Sequence, residues 1–186
     1  DYHFKNFNTK LFEVAKFTTL HHDSWEMSSQ NWSENFRQLF FDKRGYDPLL
    51  WTPVMFGVPV ESVEQSERFL WDLRRTAQEL VYDNNVERMK KLGAEHGLTF
   101  STEAYDLNPA GDLYLFRAAD VPMCEFWAKG YGFETTFSVI EAASSAHTTG
   151  RSIVGAEAFT TSNDRWRQHP GLMKRQADWA FCLGAN

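Results

Sequence analysis

Thr18-Thr19-Leu20-His21-His22-Asp23-Ser24-Trp25-Glu26 is a short β-type run that ends abruptly in carboxylates, a hydroxyl and an indole. A buried parallel strand that delivers chemistry at its carboxyl end has this profile, with apolar and β-branched residues giving way to reactive ones. The pattern recurs in Leu98-Thr99-Phe100-Ser101-Thr102-Glu103, in Val121-Pro122-Met123-Cys124-Glu125-Phe126-Trp127 and in Ser152-Ile153-Val154-Gly155-Ala156-Glu157-Ala158-Phe159. One glutamate in such a place means little, because most glutamates sit in water. Four at equivalent places point to a shared carboxylate-lined site.

Helical patterns separate these runs. Phe7, Leu11, Val14 and Ala15 predict a helix within residues 4–17 that feeds the first strand. Trp32, Phe36, Leu39 and Phe40 predict another, capped from Ser28, Ser29 or Asn31 and closed by Gly45. Leu49 to Val60 is apolar but broken by Pro53, Gly57 and Pro59, so it reads as a short strand or packed loop. Glu61 to His96 is the longest helical signal, with Asp83-Asn84-Asn85 placed to kink or split it. Residues 104–119 read as a loop, 134–149 as a helix of small side chains ended by Gly150, and Pro170 as the start of a short helix. Ala180-Phe181-Cys182-Leu183 reads as one more strand.

Strand–helix alternation with nearly continuous apolar strands indicates a parallel α/β architecture. Acids at successive strand ends favour a (β/α)8 barrel over an open sheet, because only the barrel converges them on one axis. A full barrel takes ~250 residues. The expectation for residues 1–186 is therefore a single fragment, the later part of an incomplete (β/α)8 barrel truncated at both ends.

Composition narrows the function. With 42% hydrophobic and 16% aromatic residues among 186, including seven Trp and sixteen Phe, the chain has enough apolar surface for a sizeable core or for stacking on sugar rings. A net charge of −6 without a basic cluster argues against nucleic acid or an anionic membrane as the main partner. No apolar run approaches the roughly 20 residues that span a bilayer. Cys124 and Cys182, both in predicted strands, read as buried free thiols.

The two-residue period of a strand puts Met123, Glu125 and Trp127 on one face, and Gly155, Glu157 and Phe159 on another. If both faces line a lumen, Glu125 and Glu157 look at each other, and Gly155 leaves room for a ligand or a neighbouring side chain. The same parity groups Glu103 with Ser101 and Glu26 with Ser24. Paired carboxylates in unlike environments serve glycoside hydrolysis, and several together also suit calcium. His21 and His22 face opposite ways, so one is available to substrate and the other is structural.

His22-Asp23-Ser24-Trp25-Glu26, Arg44-Gly45-Tyr46-Asp47-Pro48, Ser66-Glu67-Arg68-Phe69-Leu70-Trp71-Asp72, Glu125-Phe126-Trp127 and Gly155-Ala156-Glu157-Ala158-Phe159-Thr160 together resemble glycoside hydrolase family 106, the α-L-rhamnosidases. The resemblance implies inverting, calcium-assisted hydrolysis of terminal α-L-rhamnosyl groups by a larger multi-domain enzyme, whose remaining chain closes the barrel and which acts in the periplasm or outside the cell. It implies Glu26 as general acid, Glu157 as general base and Glu125 in the metal or substrate shell. Glu103, Asp23, His22, Trp25 and Trp127 are the further candidates for holding the sugar. Another barrel glycosidase, or a carbohydrate-binding relic without activity, are the competing readings.

Overall fold

Phe100, Cys124 and Phe126 are each at most 3% exposed, and the sheet is built around them. The computed structural model describes residues 17–26, 32–105, 110–128, 133–162 and 165–186. The helix expected over 4–17 and the caps expected at Ser28, Ser29 and Asn31 fall almost entirely outside these residues. Strands β1 (Thr19–His22), β2 (Thr99–Glu103), β3 (Val121–Trp127) and β4 (Gly155–Thr160) are all parallel and lie side by side in chain order. They curl into a half-barrel with helices between them, the incomplete α/β barrel that the strand–helix alternation predicts.

Register explains the division of faces. Thr19 pairs with Thr99, Ser101 with Val121, Met123 with Gly155 and Glu125 with Glu157, so odd-numbered residues of every strand share the concave face. The even-numbered residues Phe100, Cys124 and Phe126 turn outward and pack with Val139, Ala142, Ala143 and Ala146. Those four come from α5, the helix Phe133–Thr148, whose small side chains bring its axis close to β3. Burial pushes the Cys124 thiol up to about 12, so it is an inert core group.

A second core lies under the long β1–β2 connection. Helix α1 (Phe36–Arg44) ends at Gly45 in the left-handed conformation, and helix α2 (Val63–Val81) begins at Ser62, whose hydroxyl accepts from the Gln65 amide at 3.1 Å. Between them Phe36, Phe40, Val54, Phe69 and Leu73 are buried together. The segment Pro48–Phe56 is a 3-10 helix rather than the expected strand or loop. Pro48 supplies its start, the Asp47 carboxylate accepts from the Leu49 amide at 3.0 Å, and Pro53 denies the chain the continuous amide ladder of an α-helix. Asp83-Asn84-Asn85 sits within a π turn, Tyr82–Val86, that joins α2 to α3 (Glu87–Glu95).

Two further expectations are corrected. The 104–119 segment holds a short helix, α4 (Asp112–Leu115), and a 3-10 turn, Phe116–Ala118. Ala180-Phe181-Cys182-Leu183 closes helix α6 (Pro170–Leu183) instead of forming a further strand, and the sheet has four strands among the described residues. An apolar run of four residues fits either period, and here Gln176 and Ala180, four apart, take the buried side of a helix. Cys182 is therefore exposed on α6. Gly155 leaves room for a neighbouring side chain: a Cβ there would stand 2.6 Å from Met123 Cγ. Gly155→Ala is expected to cost about 1–3 kcal/mol of stability in urea denaturation, because the obstructing atom is near the root of its side chain.

Candidate active site

The carboxyl ends of the four strands carry Asp23, Glu103, Glu125 and Glu157 on or next to the concave face. Glu103, at the end of β2, is 1% exposed. Tyr105 follows two residues later on the same parity, and its hydroxyl oxygen lies 2.8 Å from Glu103 Oε2 and 2.9 Å from Glu125 Oε2. One hydroxyl proton serves one acceptor, so both contacts are complete hydrogen bonds only when one of the acids is itself protonated. Burial raises the Glu103 pKa to about 7; the Tyr105 hydroxyl opposes this, while Asp23 and Glu157 add to it. Glu103 is thus the carboxyl that keeps a proton near neutrality.

Glu125 is also raised, first by burial and then by the charge of Glu157, against the hydrogen bonds of Tyr105, Thr160 and the Trp127 indole. Its amide, beyond the last paired residue of β2, donates to Ser138 Oγ at 3.1 Å. Glu157 is exposed and accepts from the Thr160 hydroxyl at 2.7 Å. A bulge makes that contact possible: Phe126 pairs with Ala158 but Trp127 pairs with Thr160, so Phe159 is the extra residue. Phe159 has φ of 63°, a conformation a bulky side chain adopts only under constraint, and its ring packs edge-on against Phe126 at 5.1 Å. The skipped residue turns Thr160 toward the acids.

A metal-type grouping adjoins them. Ligand atoms of His21, Asp23 and Glu103 all lie within 4.8 Å of one another, and Glu103 Oε1 is buried without a hydrogen-bond partner. Two carboxylates suit a hard cation such as calcium, and an orphaned buried oxygen is what such an ion would satisfy. The imidazole of His21 suits calcium less well, and its Nδ1 already lies 3.0 Å from the Ser101 hydroxyl.

A model of the alpha-L-rhamnosidase family, glycoside hydrolase family 106, matches residues 4–186. The chain belongs to this family. A rhamnosidase from Novosphingobium sp. PP1Y superposes with a TM-score of 0.77 at 30% identity, over 90% of this chain and 17% of that one. A protein of Formosa agariphila, provisionally named a beta-glucuronidase, is 39% identical over 162 residues, which are 87% of this chain and 14% of the relative. The chain therefore spans about one sixth or less of the length of these relatives.

Within this rhamnosidase-family chain, the structure brings together Asp23, Glu103, Glu125, Glu157 and Trp127. Glu26 stands exposed at the lip, accepts from the Ser24 hydroxyl at 2.9 Å, and is linked to the cluster through Ser24, which faces Tyr105. His22 takes the outward, even-numbered face of β1 rather than the concave face, a correction to its reading as a sugar ligand. Its Nδ1 lies 3.2 Å from the Thr102 hydroxyl, its ring stacks with Phe100, and burial lowers its pKa. His21 takes the concave face instead, as strand parity allows. Trp25 packs against the core and lines a groove of about 460 Å³ with Trp32, Phe36 and Asn85, apart from the acid cluster. Tyr105 and Thr160 were missed. Tyr105 was legible in the parity of Ser101 and Glu103, whereas nothing local announces the bulge that turns Thr160.

Proposed function

We propose that these residues are the acid-bearing part of a rhamnosidase active site, hydrolysing terminal α-L-rhamnosyl groups with inversion. The supporting observation is the convergence of Glu103, Glu125 and Glu157 at adjoining strand ends, the first two sharing the Tyr105 hydroxyl and the third directly opposed to Glu125. β1–β4 contain no Lys or Arg, so no cation on these strands is available to a sugar carboxylate. This favours a neutral deoxy sugar over a uronic acid, whose own carboxylate would be repelled.

Inversion needs acid and base carboxyls roughly 6.5–9.5 Å apart, with water between base and sugar. Neighbouring strands are only ~4.8 Å apart, so Glu125 and Glu157, directly opposed, are too close for that water. Glu26, four residues past the end of β1, and Glu157, on β4, lie on either side of the floor formed by Glu103 and Glu125. In this reading Glu157, aligned by Thr160, takes a proton from water as it attacks the anomeric carbon. Glu26 donates a proton to the departing oxygen, and Trp127 covers the apolar face of the sugar. Asp23 and Glu103 would hold calcium, with Glu125 beside them. Bound there, calcium supplies charge neutralisation and ligand positions for sugar hydroxyls. Further strands close the barrel around this half, and the parent enzyme works in the periplasm or outside the cell.

The test uses p-nitrophenyl α-L-rhamnoside and p-nitrophenyl β-D-glucuronide with the full-length protein. Rhamnoside cleavage that is lost in EDTA and restored by calcium is expected; glucuronide cleavage alone would overturn the substrate assignment. Tyr105→Phe is a sharper probe of the cluster. The hydroxyl lowers the pKa of both Glu103 and Glu125, which must be ionised to hold calcium, so its removal is expected to move the acidic limb of the pH–rate profile upward and to lower kcat about tenfold. An unchanged profile would place the tyrosine outside the chemistry.

A further inference from the structure

Away from the acids, a groove of about 470 Å³ runs between α2 and the segment leading into α4, lined by Trp71, Arg74, Arg75, Gln78, Gly111 and Tyr114 among others. Its size suits one or two sugar units. Its charge is opposite to that of the strand ends. Glu79, the acid in its lining, is already engaged by Arg44 at 2.9 Å, Arg75 at 3.1 Å and Lys43 at 3.4 Å. Arg74 is exposed and has no carboxylate partner among the described residues, in a chain whose net charge is −6. Trp71, three residues before Arg74 and so on the same side of α2, is 66% exposed.

The rest of the groove is built in advance. Gln78 Oε1 accepts from the Gly111 amide at 2.8 Å and ties α2 to the opposite wall. The Tyr114 ring is held edge-on by Tyr82 at 5.1 Å, with the Arg117 guanidinium 5.0 Å from its centre. An exposed indole offers a platform for the apolar face of a pyranose, and a free guanidinium offers a bidentate fork for a planar carboxylate. We infer that this groove is a second saccharide site, selective for a carboxylated sugar: Trp71 stacks on the ring and Arg74 binds its carboxylate. The site needs no assumption about the reaction at the strand ends.

Calorimetric titration of the full-length protein with tetragalacturonate, and with neutral cellotetraose as the control, tests it. Saturable binding of tetragalacturonate is expected, weakened at least about tenfold by Trp71→Ala, by Arg74→Ala and by raising NaCl from about 50 to 500 mM, with cellotetraose binding at least about tenfold more weakly. Both side chains are exposed, so the variants are expected to keep the wild-type melting temperature. Glu157→Gln should bind as wild type, which separates this groove from the catalytic reading. Absence of binding, equal affinity for cellotetraose, or affinity unchanged in both groove variants would overturn the inference.

Discussion

Glu157→Gln is expected to lower kcat on an α-L-rhamnoside about a thousandfold with KM little changed, within the 10²–10⁴ range for loss of a positioned base. The amide keeps the Thr160 hydrogen bond and the side-chain volume but cannot take a proton from water. Added azide, which needs no base, should restore turnover and yield the β-L-rhamnosyl azide, the inverted product. A loss of less than about threefold, or no azide rescue, would remove Glu157 from the role of base. Adjacent Glu125→Gln controls for simple charge removal, since its carboxylate shares Tyr105 and is the more sheltered of the two.

Glu103→Gln should separate stability from function. A buried carboxyl raised to about 7 keeps in the folded protein a proton that the unfolded chain releases near 4.5. Between those values the native state binds more protons, so in EDTA the wild-type fold loses stability as pH rises through that window and reaches its lowest contribution above about 7. The variant lacks this liability. Its advantage should be absent at pH 4 and reach on the order of 2 kcal/mol by pH 8, roughly 4–8 °C in melting temperature. Calcium should reverse the order, because ligands that bind only the folded state stabilise it and the amide gives up a charged ligand. Urea denaturation at both pH values, with EDTA and with calcium, checks the sign. A variant less stable than wild type at pH 8 in EDTA would mean that Glu103 is held by a partner rather than exposed to its neighbours' charges.

The helical side of the fold was legible because its signals are local. Gly45 marks a helix end by a left-handed turn that needs no distant partner, and the Phe69, Leu73, Ala77 stripe follows from the 3.6-residue period alone. The 180–183 run was misread for the same reason turned round: four apolar residues carry no decisive period, and only the packing of Ala180 into the core chose the helix.

For the site, the sequence by itself determined which strands end in acid and, through the two-residue alternation, that Glu125 and Glu157 share a face. It also contained the blocks by which the family is recognised. Only the tertiary structure decided the rest. Strand register placed His21 rather than His22 beside Asp23 and Glu103, one tyrosine hydroxyl bound two glutamates from different strands, and the bulge at Phe159 turned Thr160 onto Glu157. Each of these depends on distances between residues far apart in the chain. Acidity follows the same rule, because Glu103 becomes a proton holder through burial and the nearby charges of Asp23 and Glu157, which no stretch of sequence around it specifies.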